Sequence, residues 1–427
     1  MAEQSEIHLL IDHLFRHESG KLVSTLTRIF GPQNIDLAED VVQDSLIEAI
    51  KQWTYKGIPE NPPGWLYRVA KNKALNILNR EKYKRQYSSD FAHFLQSEWT
   101  AEPALIHLFS EQEIKDDQLR MVFTCCHPAI SPDSQIALAL KTLCGFNIPE
   151  IAKAFLTTEE NINKRLVRAR QKIRDDKIPF AVPQGKDLEK RLQAVLETIY
   201  LLFNEGYSAS SGKDLIRLEI CEEAIRLTEM ISIHPAIQYK SNVYALLALM
   251  QINASRFKSR QDADGNIITL ENQDRSLWNY HLMEKGFSNL ARSTSEKQVS
   301  IYHILASISA YHCSAINYKA TDWKSILSLY DRLIQIDNSP VVLLNRAVAI
   351  SKVNGPLKAI EELEQIENSA SLKNYHLFYS TKAEFHIEFN QFTNAIVAIE
   401  KAIELAPLEN EILLLKTKLA YCREKLF

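Results

Sequence analysis

Glycine and proline are scarce in this sequence, with 11 and 14 residues among 427. This scarcity excludes collagen-like and low-complexity proteins and favours densely packed secondary structure. The six cysteines are too few, in so long a chain, to build a disulfide framework. We therefore expect reduced thiols that pack in a core.

Several kinds of functional segment are also missing. No apolar run reaches the roughly 18 residues of a membrane span, and MAEQSEIHLL lacks the basic-then-apolar layout of a secretory signal. There is no Gly-rich phosphate loop, nucleophile motif or HExxH. We therefore expect a cytoplasmic protein that has no enzymatic activity, cofactor, bound metal or membrane contact.

Apolar residues recur at intervals of three and four along almost the whole chain, which predicts an all-α fold. The length suggests two to four domains. We predict helical units over residues 1–86 and 111–177, a linker over 87–110, a second linker over 178–186, and a helical extension over 187–427. The string DADGNIITL, with Asp264 and Gly265, predicts a small hairpin or loop inside the extension.

Basic residues cluster locally although the net charge is −3. The stretch from Arg68 to Arg85 contains one acid, Glu81, among its basic residues. A second basic stretch runs from Lys164 to Lys177. Because local clustering, and not net charge, decides contact with phosphates, both stretches are candidates for binding nucleic acid.

The second stretch belongs to the string FNIPEIAKAFLTTEENINKRLVRARQKIR, which has the periodicity of a helix-turn-helix. Ile148, Ile151 and Ala152 form one apolar face, and Ile162 and Leu166 form the inner face of the second helix. A solvated basic helix in an ordinary bundle is the alternative, but the alternation of basic residues from 168 to 174 favours DNA. The residues expected to read bases or contact phosphates are Glu160, Asn161, Asn163, Lys164, Arg165 and Arg168.

The first unit contains an acidic helix, DLAEDVVQDSLIEAIKQW, with no basic residue before Lys51. Such a face requires a basic partner. It is followed by NPPGWLYRVAKNKALNILNREKYKR, in which apolar and basic positions alternate with a helical period.

In sequence and in order, these segments resemble regions 2 and 4 of the extracytoplasmic-function sigma factors of the sigma-70 family. The resemblance implies two small helical sigma domains and a bacterial transcription initiation factor that binds core RNA polymerase and promoter DNA, at the nucleoid when active. It further implies contacts with the β flap and with the clamp helices of the β′ subunit. The residues implied for the clamp helices are Asp40, Gln43, Asp44 and Glu48.

By the same resemblance, the helix-turn-helix binds the −35 element. The loop from Lys56 to Gly64 and the helix after it capture the melted −10 element. Melting without ATP requires a pocket for an unstacked base and a basic track for the backbone. The residues assigned to this role are Trp65, Arg68, Lys71, Asn72, Lys73, Asn76 and Arg80.

The extension contains a repeat. Ala347, Ala359 and Leu363 match Ala383, Ala395 and Ile399 at an offset of 36 residues. A small residue at a helix crossing, repeated at about this period, is typical of tetratricopeptide-like helix pairs. The strings MVFTCCHPAIS, YLLFNEGYSAS and SPVVLLNRAVAI also resemble the sigma-factor subgroup with a C-terminal tetratricopeptide-type extension. We expect a helical-repeat domain, clearest over residues 320–410, that acts as a fused regulator with a protein or ligand partner.

Two strings allow more than one interpretation. Cys125, Cys126 and His127 suggest a metal or redox site, but adjacent cysteines on a helix point about 100° apart, which favours core packing. The string FNEGY predicts a helix C-cap at Gly206. Its alternative is a regulatory contact with the DNA-binding domain or a ligand, through Asn204, Glu205 and Tyr207.

Two rival functions remain at the level of the sequence. A conventional helix-turn-helix activator with a repeat sensor domain would bind duplex operator by itself and would not need the acidic helix or the Trp65 segment. A helical scaffold would leave both basic stretches merely solvated.

Overall fold

A computed structural model of the chain describes residues 2–78, 109, 111–155, 157–207, 216–262, 265–295, 299–367, 369 and 372–426. The chain divides into two units, Met1–Leu202 and Phe203–Phe427. Within the described ranges the regular structure is helical, apart from one isolated antiparallel bridge between Gln261 and Ile267. The predicted all-α fold is confirmed. The bridge lies where a hairpin or loop is predicted, although Asp264 is outside the described residues.

Seven helices lie wholly within the described part of the first unit. Their bounds are α1 Ala2–Phe30, α2 Ile35–Lys56, α3 Pro62–Leu78, α4 Glu111–Cys125, α5 Pro132–Thr142, α6 Ile148–Ala154 and α7 Glu159–Asp175. The residues after Lys56 explain why α2 stops. Gly57 has φ +80°, a conformation that suits glycine, and its N–H bonds the Trp53 carbonyl.

Helix α1 brings the first unit together. It packs against α2, which follows it directly in the sequence, and also against α4, which begins only at Glu111. At Gly20 the backbones approach so closely that a Cβ would lie 2.1 Å from the carbonyl oxygen of Leu143, just after α5. Glycine at this position therefore allows the N-terminal and C-terminal helices of the unit to share one core.

The remaining helices begin with α8 Lys186–Tyr207, and the boundary between the units falls within this helix. None of the described helices is both long enough and apolar enough to cross a membrane. The helices that follow are α9 Leu218–Ile233, α10 Ser241–Ala254, α11 Tyr280–Ser293, α12 Ile301–Ser314, α13 Trp323–Leu333, α14 Pro340–Asn354, α15 Pro356–Ile366, α16 His376–Glu388, α17 Phe392–Leu405 and α18 Glu409–Glu424.

The sequence repeat corresponds to two successive helix pairs of the second unit. Ala347 lies on α14, and Ala359 and Leu363 lie on α15. Their matches Ala383, Ala395 and Ile399 lie on α16 and α17. All six residues are at most 1% exposed, so the repeated positions are those where helices meet.

Candidate nucleic-acid interface

Helices α6 and α7 form the predicted helix-turn-helix, and local hydrogen bonds define where each begins. Before α6, the Asn147 N–H donates to the Glu150 carboxylate, and the Glu150 N–H donates to the Asn147 side chain at 2.8 Å. This is a reciprocal capping box. The Thr158 hydroxyl accepts from the Asn161 N–H and so caps α7. Both helix starts are thus encoded locally.

Helix α7 buries one face and exposes the other. Its buried positions, at intervals of four, three and four, are Ile162, Leu166, Ala169 and Ile173. Five of the six residues predicted to contact DNA here are exposed, and Arg165 is partly exposed. Arg165 lies 3.5 Å from Asp133, and Lys164 pairs with Glu160 at 2.7 Å. No ion pair of Arg168 occurs among the described residues, so its guanidinium is available to a phosphate or a base.

Helix α3 presents a stripe with a four-residue period. Arg68, Asn72 and Asn76 are exposed at successive turns, and Trp65 lies at the start of this stripe, half-buried, with its ring 5.3 Å from that of Trp53. Lys71 and Lys73 are partly buried at the sides of the stripe. Arg80, also predicted here, lies outside the described residues. A basic and amide surface next to an aromatic ring is chemically suited to a single strand.

The outer face of α2 is acidic. Asp40, Gln43 and Asp44 are exposed at helical spacing, and Ile47 extends the stripe with 48% of its surface exposed. Glu48 is partly buried and accepts a hydrogen bond from Gln52. Lys73 of α3 approaches Asp44 to 4.0 Å, so the acidic stripe and the α3 surface are adjacent.

A second acidic face of α2 meets the helix-turn-helix of the same chain. Arg170 of α7 donates to Asp36 at 2.7 Å and to Glu39 at 2.8 Å, and Arg174 lies 3.7 Å from Asp36. We call these four residues the latch. Burial raises the pKa of Glu39, against the opposing effect of Arg170. The sequence shows an acidic face that needs a basic partner, but it does not show that the partner is Arg170.

The start of α4 makes a similar contact with α1. Arg28 forms ion pairs with Glu113 and with Asp117, the latter at 3.7 Å. The Asp117 side chain is fully buried. Burial raises the pKa of this carboxyl to about 7 despite the neighbouring Arg28 and Arg120. The helices of the first 78 residues are therefore joined to the later helices of the unit by ion pairs at two places.

The three cysteines near the helix-turn-helix are buried thiols. Cys125 lies 3.2 Å from the Thr142 hydroxyl, and burial raises the pKa of Cys126 to about 12. Thiols with raised pKa react poorly, because the thiolate is the reactive form. Within the described part of the chain no group of three or more His, Cys, Asp or Glu side chains is placed to hold a metal ion.

At FNEGY the cap prediction is wrong. Helix α8 continues to Tyr207, and Gly206 is not among the glycines with positive φ. Gly206 instead allows close approach to α9, since a Cβ there would lie 2.7 Å from the Cys221 sulfur. Glu205 pairs with Arg217 at 2.8 Å, and the Tyr207 hydroxyl accepts a hydrogen bond from Arg256. Asn204 is partly buried, and its predicted regulatory role stays a prediction.

Comparisons with known proteins assign the segments as follows. Residues 14–83 match the family model of Sigma-70 region 2, and residues 120–173 match that of Sigma-70, region 4. Residues 191–294 match a family of unknown function, DUF6596. The chain is 33% identical, over 398 residues, to an uncharacterized protein of Rhizobium meliloti (strain 1021), covering 93% of this chain and 92% of that protein. No solved structure matches the chain.

Proposed function

This chain belongs to the extracytoplasmic-function sigma factor family and is a non-enzymatic transcription initiation factor, and we propose that it acts by opening from a latched state. Its sigma regions bind core RNA polymerase and promoter DNA. The observation that carries the proposal is the latch, which joins the region 2 helix α2 to the region 4 recognition helix α7.

Promoter geometry requires the two regions to separate. The −10 and −35 positions are roughly 25 base pairs apart, or about 85 Å at roughly 3.4 Å per base pair. A compact unit of about 200 residues has a radius of gyration of only roughly 16 Å. Because the latch joins α2 to α7 through side-chain nitrogen–oxygen distances of 2.7–2.8 Å, regions 2 and 4 cannot reach both elements while it is closed.

The latch is built to be opened at low cost. Arg170 is mostly buried, and two of the buried atoms, Glu39 Oε1 and Arg170 Nε, have no hydrogen-bond partner among the described residues. A buried ion pair gains little net free energy because desolvation offsets the Coulomb attraction, and orphaned polar atoms lower the gain further. Binding free energy from polymerase can therefore shift the population to the open state.

The exposed stripe of α2 supports a role in docking to polymerase. Asp40, Gln43 and Asp44 have no ion pair with the helix-turn-helix among the described residues, so they remain available while the latch is closed. Ile47 adds an apolar contact in line with them. We assign this stripe to the clamp helices of the β′ subunit, with Glu48 at its partly buried edge.

The α3 stripe supports capture of the melted −10 strand. Amide side chains such as Asn72 and Asn76 can pair with the edge of an unstacked base, and Arg68 can hold a phosphate. Trp65 offers a ring on which a base can stack, and Lys71 and Lys73 lie further along the helix, at the sides of the stripe. Arg80 would extend this basic track.

Helix α7 supports recognition of the −35 element. Its N-terminal half carries Asn161 and Asn163, the residue types that read adenine, and Arg168 and Lys164 follow on the exposed surface. Glu160 and Arg165 lie at the edges of this surface, where Glu160 pairs with Lys164 and Arg165 pairs with Asp133. We propose that this region contacts the β flap of RNA polymerase.

For the second unit we propose a tetratricopeptide-like regulatory domain. The helix pairs α14–α15 and α16–α17 repeat the same buried alanines at an offset of 36. The apolar cluster of α14 and α15 also includes Phe378 and Phe385 of α16, so the first pair packs directly on the second. Stacked helix pairs of this kind present surfaces for a protein or ligand partner. Asn204, Glu205 and Tyr207 lie at the entrance to this unit in the sequence.

Two measurements test the proposal. Fluorescent labels on Tyr55→Cys and Gln171→Cys, both exposed positions, report the distance between α2 and α7, and the native cysteines are buried and should not compete for the dyes. We expect efficient fluorescence energy transfer between the two dyes in the free protein and inefficient energy transfer when the protein is bound to core polymerase. Equal energy transfer in both states would refute opening. The second measurement is run-off transcription with core polymerase on templates from its own genome, and failure to produce a promoter-specific transcript would refute the proposed promoter recognition.

The polymerase stripe has its own test. Asp40→Asn with Asp44→Asn should weaken binding to core polymerase at least about tenfold, since two charge-assisted contacts are lost. Glu111→Gln removes an exposed acid of α4 and serves as the control. Equal affinity of the double variant and the control would place the polymerase contact elsewhere.

A further inference from the structure

Three arginines of the second unit lie close enough together to influence one another electrostatically, and no acid in the described part of the chain pairs with them. Arg256 and Arg260 follow α10 in sequence, and Arg275 begins a short 3₁₀ helix, Arg275–Leu277, before α11. We call them the arginine cluster. Among the described residues, none of the three forms an ion pair with an aspartate or glutamate. The other buried or partly buried arginines of this unit behave differently, as Arg217 pairs with Glu205 and Arg346 pairs with Asp331, each at 2.8 Å.

Neutral groups hold the three guanidinium groups in place. Arg256 donates to the Tyr207 hydroxyl at 2.9 Å, and Arg260 donates to the Tyr207 carbonyl while lying 4.0 Å over its ring. Arg275 donates to the carbonyls of His312 and Ala315 and lies 4.4 Å over the ring of Trp278. These contacts fix the orientation of each guanidinium but do not neutralise its charge.

The cluster also contains buried nitrogen atoms without partners. Arg256 Nε, Arg275 Nη2 and His312 Nδ1 are all buried, and none has a hydrogen-bond partner among the described residues. Arg256 as a whole is only 9% exposed. Buried charges are normally paired, and buried donors are normally satisfied, so the two guanidinium nitrogens Arg256 Nε and Arg275 Nη2 point to a missing acceptor.

The electrostatics agree with this geometry. Burial, together with the charges of Arg256 and Arg275, lowers the pKa of His312 to about 4, so the imidazole is neutral at pH 7. Burial likewise lowers the pKa of Arg260, and the charge of Arg256 adds to that effect. The arginine cluster is therefore a region of positive charge in low-dielectric surroundings that the described acids do not compensate.

We propose that the arginine cluster is a binding site for a small anion that carries a carboxylate or a phosphate group. Guanidinium forks match both groups with paired hydrogen bonds, and the stacked rings of Tyr207 and Trp278 orient the forks in advance. Arg275 is partly exposed, so the site opens to solvent on its side, whereas Arg256 forms its buried end. This inference concerns the second unit and does not depend on the latch.

The test uses the full-length protein and three probes at matched ionic strength: inorganic phosphate, succinate and chloride. We expect phosphate or succinate, but not chloride, to raise the melting temperature, because a ligand that binds the folded state stabilises it. Since the DNA-binding face can also take up phosphate, hydrogen exchange must locate the effect. Protection should appear in peptides that contain Arg256, Arg275 and His312.

Two variants and one control complete the test. Arg275→Gln and Arg256→Gln should each weaken binding of the preferred anion about tenfold or more, through loss of charge-assisted hydrogen bonds. Arg292→Gln is the matched control, because Arg292 lies 4.0 Å over the ring of Tyr244 and is exposed. If Arg256→Gln does not fold, Arg275→Gln decides. Equal stabilisation by all three probes, unchanged affinity in Arg275→Gln, or protection confined to the first unit would overturn the proposal.

Discussion

Arg170 of the recognition helix donates from Nη2 to Oε2 of Glu39 at 2.8 Å, although 131 residues separate them in the sequence. Its other terminal nitrogen lies 2.7 Å from Asp36. A basic residue of the region 4 helix-turn-helix is thus neutralised by acids of region 2. In the proposed mechanism, Arg170 stabilises the closed state, and opening releases its guanidinium for contact with a phosphate.

Weakening the latch should therefore increase the affinity of the free protein for promoter DNA. Glu39→Gln keeps the shape of the side chain but removes its charge, and leaves the recognition helix unchanged. We expect binding of duplex −35 DNA by the free protein to rise by about two- to tenfold, since one ion pair of modest net free energy no longer opposes opening. Asp40→Asn makes the same charge change on the exposed face of α2 and should have no effect. Titration by fluorescence anisotropy compares the two, and equal affinities would contradict the latch.

Substitution of Gly20 should destabilise the first unit for a steric reason. A Cβ at this position would lie 2.1 Å from the Leu143 carbonyl oxygen, which is backbone and cannot simply rotate away. Gly20→Ala should lower the free energy of unfolding of the first unit by about 1–3 kcal/mol, the usual cost of overpacking. Urea unfolding measures this change. Ser19→Ala, at the neighbouring buried position, is the control, and a Gly20→Ala midpoint no lower than that of Ser19→Ala would show that the close contact is absent in solution.

Asp117 should make the stability of the first unit depend on pH. Burial raises the pKa of this carboxyl from 3.8 to about 7, so the folded protein favours its protonated form. This contribution to stability is fully present below pH 3.8 and is lost as pH rises through about 7. We expect Asp117→Asn to lack that decline in urea unfolding between roughly pH 5 and pH 7.5. Asp116→Asn should keep it, and parallel profiles for wild type and Asp117→Asn would be evidence against a raised pKa.

Arg168 should contribute a phosphate or base contact to −35 binding, because it is exposed and has no ion pair among the described residues. With the polymerase-bound protein, Arg168→Ala should weaken −35 binding. If the contact is to phosphate, it should also reduce the slope of log affinity against log salt by about 0.9. Gln171→Ala, on the outer surface of the same helix, is the control. An unchanged affinity at every salt concentration would remove Arg168 from the interface.

The helices of the two sigma regions could be predicted from sequence because their signals are local. The capping groups Asn147 and Thr158, the glycine after α2 and the three-and-four spacing of Ile162 and Leu166 all act within a few residues. The exposed sides of α3 and α7 follow from the same periodicity. At Gly206 local reasoning was wrong, since its packing against Cys221 depends on the approach of another helix.

The sequence by itself determined that this chain is helical, which face of each sigma helix is polar, and which family it resembles, because periodicity and motif order are properties of neighbouring residues. Only the tertiary structure decided that Asp36 and Glu39 find their basic partner in Arg170, and that Arg256 and Arg275 form no ion pair with an acid of the described residues. Charge pairing between distant residues depends on how helices pack, and helix packing is set by the whole core.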